Sequence, residues 1–225
     1  NIAQDFNNMF LGYGGTFVND DNTPAVNSEA GMKALETMMA LTAYMDPEYL
    51  VSASTYVQQQ FQQGKIAMAN LWSSRAGAMD DPAESSVVGK VKMAMAPLAD
   101  PSGPPATTMW WDGLVIAKNI SDEEAEAAFQ LIVEGLDKEM VTAANDKAIW
   151  LVNGYEPGDL AAGVVASATH DPAPVNYPST TQMGLMHTAL GNELPAFFTG
   201  ERDAAATLEA IEAAYTTAAK EAGIL

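Results

Sequence analysis

The sequence has no cysteine at all, which removes disulfides, thiolate nucleophiles, iron–sulfur clusters and thiolate zinc sites in one step. The compartment stays open on that ground, since a chain without thiols suits either redox state. Positive charge is scarce as well: 10 Lys+Arg face 29 Asp+Glu, a formal net charge of −19 over 225 residues. Like charge opposes the approach of a polyanion and the few cations are scattered singly, so nucleic acid is not an expected partner. The acids form no run long enough to be a tail and read as a solvated surface. No stretch approaches the roughly 18 consecutive apolar residues of a membrane span, so none is expected. The chain opens at Asn1 without methionine or a basic-then-apolar leader, as if inside a helix, and reads as a piece of a longer protein.

Histidine is nearly absent too. His170 and His187 are far apart, no His-Glu-x-x-His is present, and both read as ordinary surface or loop residues. Asn19-Asp20-Asp21-Asn22 lacks the alternate-position ligands and terminal glutamate of a calcium loop. No metal and no cofactor are therefore expected. The glycine cluster Gly12-Tyr13-Gly14-Gly15 lacks the Gly-Lys-Ser/Thr ending of a phosphate loop. There is no Gly-x-Ser-x-Gly elbow, although composition alone leaves a Ser/His/Asp triad open. Asp80 and Asp81 are adjacent in a polar loop and read as a solvated turn rather than a glycosidase pair.

What is present is a globular composition, 48% hydrophobic and 17% charged, long enough for one large domain or two small ones. Helical spacing predicts a first helix from Ile2 to the glycine cluster. A second follows the Asn27-Ser28 cap with Met32, Leu35, Met38, Met39 and Thr42, and stops at Pro47. Its methionines read as core filler. A third covers about 55–63 and ends at Gly64. Ser121 and Glu124 form a capping box ahead of Ala125, Ala128, Phe129 and Ile132. Further helices run from Asp137 to about Asp146, from Ser179 through Met183, Met186 and Leu190, and from near Asp203 to Gly223 with Leu208, Ile211, Tyr215, Ala218 and Ala222 on one face. Strand character is confined to Val18 and the turn after it, 65–71, the alternating run 90–95, and 114–117. The fold class is α/β, helix-rich, with a small mixed sheet.

The aromatics carry the chemistry. Sugars present apolar C–H faces ringed with hydroxyls, so a carbohydrate site needs flat rings for stacking and amides or carboxylates for the hydroxyls. Trp72 follows one predicted strand, and Trp110 and Trp111 precede another. Tyr13 and Tyr177 lie in glycine- and proline-marked loops. Sites of open α/β lobes lie outside strand ends. Each tryptophan alone reads more readily as core than as a ligand stacker, because large aromatics dominate core burial, and it is the shared location of three near strand ends that points to a site.

The order of these motifs resembles the extracellular solute-binding proteins of ABC importers, in particular their sugar-binding group. The matching pieces are Gly12-Tyr13-Gly14-Gly15 with Asp20, the helix opened by Asn27-Ser28, and Phe61-Gln62-Gln63-Gly64-Lys65-Ile66-Ala67-Met68 followed by Trp72. Val88-Gly89-Lys90-Val91 running to Ala96-Pro97, the loop to Gly113, the helix with Glu124-Ala125 before Phe129, and the last helix ending in Gly223 complete the pattern. The resemblance implies a two-lobed clamp that binds a small carbohydrate or polyol between its lobes and delivers it to membrane permease subunits. It also implies a non-enzymatic role and a periplasmic or extracellular location, with a membrane tether through a preceding segment left open. It carries ligand contacts to Trp72, Trp110, Trp111, Asp112 and Gly113, and further to Tyr13 and Tyr177. The chain corresponds to a periplasmic-binding-protein-like C-terminal lobe, 1–113 and 153–225, without the N-terminal lobe. The crossover strand and helices at 114–152 would belong to that other lobe. The faces around Phe129, Ile132 and Trp150 are expected to pack on the remaining lobe or on a second chain. The competing readings are a carbohydrate-active hydrolase and an acidic protein-interaction module.

Overall fold

A computed structural model describes residues 2–225. Among the described residues eight α-helices follow one another: α1 (Ile2–Gly12), α2 (Glu29–Leu41), α3 (Ser54–Gln62), α4 (Asp122–Gly135), α5 (Lys138–Ala143), α6 (Ala162–Ala168), α7 (Thr181–Phe198) and α8 (Ala204–Glu221). A 3-10 segment, Ser73–Asp80, stands between α3 and α4. The chain divides into two compact units. One comprises Asn1–Val57, Met95–Met109 and Ala166–Leu225, the other Gln58–Ala94 and Trp110–Val165.

The first unit is built on α1, α2, α7 and α8. Phe6, Phe10, Leu35, Met186, Leu190, Leu194, Leu208, Ile211 and Tyr215 are fully enclosed in its core. Their three- and four-residue spacing puts one apolar stripe on each helix, so burial of these stripes is what holds the four helices together. Phe6 stacks on Phe10 at 5.4 Å between ring centroids, and Phe17 closes on Phe10 at 5.1 Å. The side chains of Ser28, Thr180 and Asp203 each accept a hydrogen bond from a first-turn amide and so start α2, α7 and α8. Tyr215 gives its hydroxyl to the carbonyl of Asn22, which sits at φ 66° in the turn after Val18.

The second unit has a thinner core. Met79, Val141 and Ala161 are its buried apolar residues. Polar links do much of the fixing: Gln62 donates to the Ala78 carbonyl at 3.0 Å, and Ser86 closes on the Gln62 carbonyl through both its amide and its hydroxyl. Trp150 donates from Nε1 to the Ala144 carbonyl at 2.9 Å.

Two expectations differ from what is observed. The small mixed sheet is not formed among the described residues. Pairing there is limited to three isolated bridges, Val18 with Pro24, Leu98 with Pro105, and Met109 with Asn176. The runs 65–71 and 114–117 carry strand-forming residues, but a strand exists only through a neighbour, and Met68, Leu114 and Val115 are exposed. Of the two covers expected for the face around Phe129, the rest of this chain does not supply one. α4 begins with the capping box of Ser121 and Glu124, yet none of its residues is buried, and Phe129, Leu131 and Val133 are exposed. The cap satisfies the helix end locally, whereas burying the helix face needs a surface that the chain does not supply. Ile132 and Trp150 are partly buried.

Candidate functional site

In the second unit, Trp72 occupies the position before the 3-10 segment, with φ −54° and ψ 125°. Its carbonyl accepts from the Arg75 amide at 3.0 Å, so the chain turns at once and leaves the indole at a corner. Trp110 meets it there edge to face, with centroids 5.4 Å apart and planes at 88°. This T-shaped arrangement is the one the ring quadrupoles favour. Trp72 is 38% exposed, Trp110 45% and Trp111 71%. Three half-open or open indoles in one unit, two of them in contact, form an unusual surface for residues that normally dominate cores. Asp112 and Gly113 follow in the same exposed stretch. The structure thus brings Trp72 and Trp110 together and continues their strand of chain through Trp111, Asp112 and Gly113.

Arg75 went unremarked in the sequence. It is half-buried one 3-10 turn after Trp72 and donates from Nη1 to Gln58 Oε1 at 2.7 Å. The signal was available: a cation in a chain with so few, three residues beyond a site tryptophan. A guanidinium held by a neutral amide is a fixed donor array suited to hydroxyl oxygens.

Tyr13 and Tyr177 lie in the first unit, each partly packed against its core. The Tyr13 hydroxyl bonds Thr37 Oγ1 at 2.7 Å. The Tyr177 hydroxyl stands 3.0 Å from Nδ1 of His187, and the two rings meet edge to face at 6.0 Å. His187 is accordingly no ordinary surface residue. The fully buried Asn7 also approaches its Nδ1 from Nδ2 at 3.4 Å, while Asn7 Oδ1 has no partner among the described residues. With the Asn7 amide donating from Nδ2, Nδ1 carries the lone pair, the Tyr177 hydroxyl donates to the same nitrogen, and the proton of the neutral ring sits on Nε2.

Burial pushes the His187 pKa below the ordinary imidazole value of 6.5. The unfolded chain then binds a proton that the folded one refuses. Stability from this group is complete above about pH 6.5 and is lost as the pH falls through 6.5 toward the lower folded value. Thermal melts at pH 7.5 and 5.5 should show a larger fall in Tm for the parent than for His187→Gln. Equal falls would show that the ring titrates as in water.

The acid pair offers no catalytic geometry. Asp80 accepts from the amide of Gly89, nine residues on, and Asp81 from the Ala83 amide in its own turn, both at 2.9 Å, so each is engaged with nearby backbone. Among the described residues no three metal-ligating side chains converge, and no helix is long and apolar enough to cross a membrane.

The fold is periplasmic-binding-protein-like. An ABC transporter solute-binding protein of Agrobacterium radiobacter, solved in complex with ribitol, is 25% identical with a TM-score of 0.77, over 94% of this chain and 55% of that one. The maltose-bound MalE3 of T. maritima is 19% identical with a TM-score of 0.77, over 95% of this chain and 56% of that one. A solute-binding protein of Agrobacterium vitis with bound D-mannitol is 20% identical with a TM-score of 0.76, over 98% of this chain and 58% of that one. The chain therefore spans little more than half the length of these structures. Residues 1–146 match the model of the bacterial extracellular solute-binding protein family, and the chain belongs to that family. No curated protein matches the sequence.

Proposed function

We propose that the chain is part of the substrate-binding component of an ABC importer, which takes a sugar or polyol outside the cytoplasm and hands it to permease subunits without chemical change. The observation that carries this reading is the exposed indole pair of Trp72 and Trp110 followed by Trp111 and Asp112, a stacking surface with hydroxyl-binding groups beside it, in a member of this family. The ribitol and D-mannitol of the Agrobacterium structures and the maltose of the T. maritima structure give the ligand class to test first. In this reading Trp72, Trp110 and Trp111 stack on the C–H faces, and Asp112 and the backbone at Gly113 meet hydroxyls. Tyr13 and Tyr177 are secondary contacts.

The same reading assigns 1–113 and 153–225 to the ligand-binding lobe, and 114–152 to a crossover that packs on a second lobe. Its support is α4, which buries nothing here although it carries Phe129, Leu131 and Val133. A soluble protein rarely leaves such a helix uncovered.

Thermal shift against ribitol, D-mannitol and maltose tests the function. A sugar present at one hundred times its Kd should stabilise by about 2.7 kcal/mol. Stabilisation by peptides or metal ions and by none of the sugars would sink the proposal.

A further inference from the structure

Gly113 has no backbone reason to be glycine. Its φ is not in the left-handed region that Gly14, Gly64, Gly89, Gly154, Gly200 and Gly223 occupy. Nor does it face packed main chain, as Gly163 does against Ala94, where a Cβ would lie 3.1 Å from the carbonyl carbon and 3.3 Å from the nitrogen. A Cβ built on Gly113 meets one side chain first. Its three nearest atoms all belong to the Trp111 indole: Cζ3 at 2.7 Å, Cε3 at 3.5 Å and Cη2 at 3.7 Å. The six-membered ring is folded back over the Cα two residues further on, into the space that any larger residue would fill. The rest of the indole remains open to solvent.

We propose that Gly113 is a positioning residue, holding the Trp111 indole at the sugar site by leaving its own side-chain space to that ring. This rests on the sugar-or-polyol reading above, and it adds to the backbone contact given there a second role for Gly113, the support of a neighbouring ring. The ring is at the end of an exposed side chain, so a methyl group at 113 displaces the indole and does not unfold the protein. Stacking is lost when a ring moves by about an ångström or turns off the ligand plane, because dispersion contacts fall away over that distance.

The test is a double-mutant cycle of Gly113→Ala with Trp111→Ala, read by tryptophan emission, by Tm, and by calorimetric titration with ribitol, D-mannitol and maltose. Gly113→Ala should shift the emission, hold Tm within about 2 °C, and weaken the sugar that binds by about three- to tenfold, the range one aromatic contact supplies. In the Trp111→Ala background it should change neither emission nor affinity. Effects of equal size in both backgrounds, or an emission shift with unchanged affinity, overturn the proposal. A parent that binds none of the three, with the emission coupling intact, overturns the sugar reading and still supports Gly113 as the support for Trp111.

Discussion

Gly31→Ala is expected to lower Tm by about 5–10 °C, although alanine is the better helix former by about 1 kcal/mol. Gly31 lies in the first turn of α2, where its amide donates to the Ser28 hydroxyl at 3.3 Å. A Cβ there would collide with the carbonyl oxygen of Val26 and press on both Leu208 methyl carbons at 3.2 Å. The first obstacle is main chain and cannot rotate away. Leu208 is fully buried on α8, so relief would have to come from moving α2 off its neighbour. Overpacking of this kind costs about 1–3 kcal/mol or more, and the clash with backbone puts the net loss at roughly 2–3 kcal/mol after the propensity gain. At this chain length each kcal/mol is worth about 2–4 °C. Gly184→Ala is the control, since a Cβ there meets nothing within 4 Å and alanine should be neutral or stabilising. Gly31→Ala melting with the parent would show that α2 and α8 are not in contact through this residue.

The helices other than α6, whose residues read as irregular chain, were legible because their determinants are local. Ser28 and Ser121 stand where the sequence places a cap, Asp137 and Asp203 where it starts two further helices, and each accepts from an amide three residues on. The α7 stripe of Met183, Met186 and Leu190 is buried as its spacing predicts. That the expected sheet does not form among the described residues was not legible, because pairing depends on distant chain. Leu114, Val115 and Ile116 say only that this run belongs in an apolar setting, and a run of that kind left beside no neighbour is extended but unpaired. Phe129 teaches the same point for a helix: the sequence shows an apolar face, and it does not show what covers it.

The site divides along the same line. Indoles at the ends of predicted strands could be picked out by position, but the right-angled contact of Trp72 with Trp110 joins segments far apart in the chain. Asn7 and His187 are 180 positions apart, and only folding reveals that their polar atoms meet. The family resemblance marks Gly113 as a ligand contact, and the ring lying over it is visible only in the fold.

Trp72→Ala should weaken sugar binding by about ten- to a hundredfold and leave the far-UV spectrum unchanged. Tryptophans at the centre of a binding surface are among the residues whose truncation is felt most. Here the loss is compounded, because Trp110 loses the edge-to-face partner that fixes its own plane, an interaction worth about 0.5–1.5 kcal/mol beyond area. Stability should change far less than for a core residue, since the indole is only partly enclosed and removing it opens the surface rather than a cavity. Trp150→Phe supplies the contrast. Its Nε1 bond to the Ala144 carbonyl is structural, so that variant should lose about 1 kcal/mol of stability with sugar affinity unchanged. Calorimetric titration and thermal melts of the two variants side by side separate a ligand stacker from a core tryptophan. Unfolding of Trp72→Ala would place this indole with the core and leave Trp110 and Trp111 to carry the stacking.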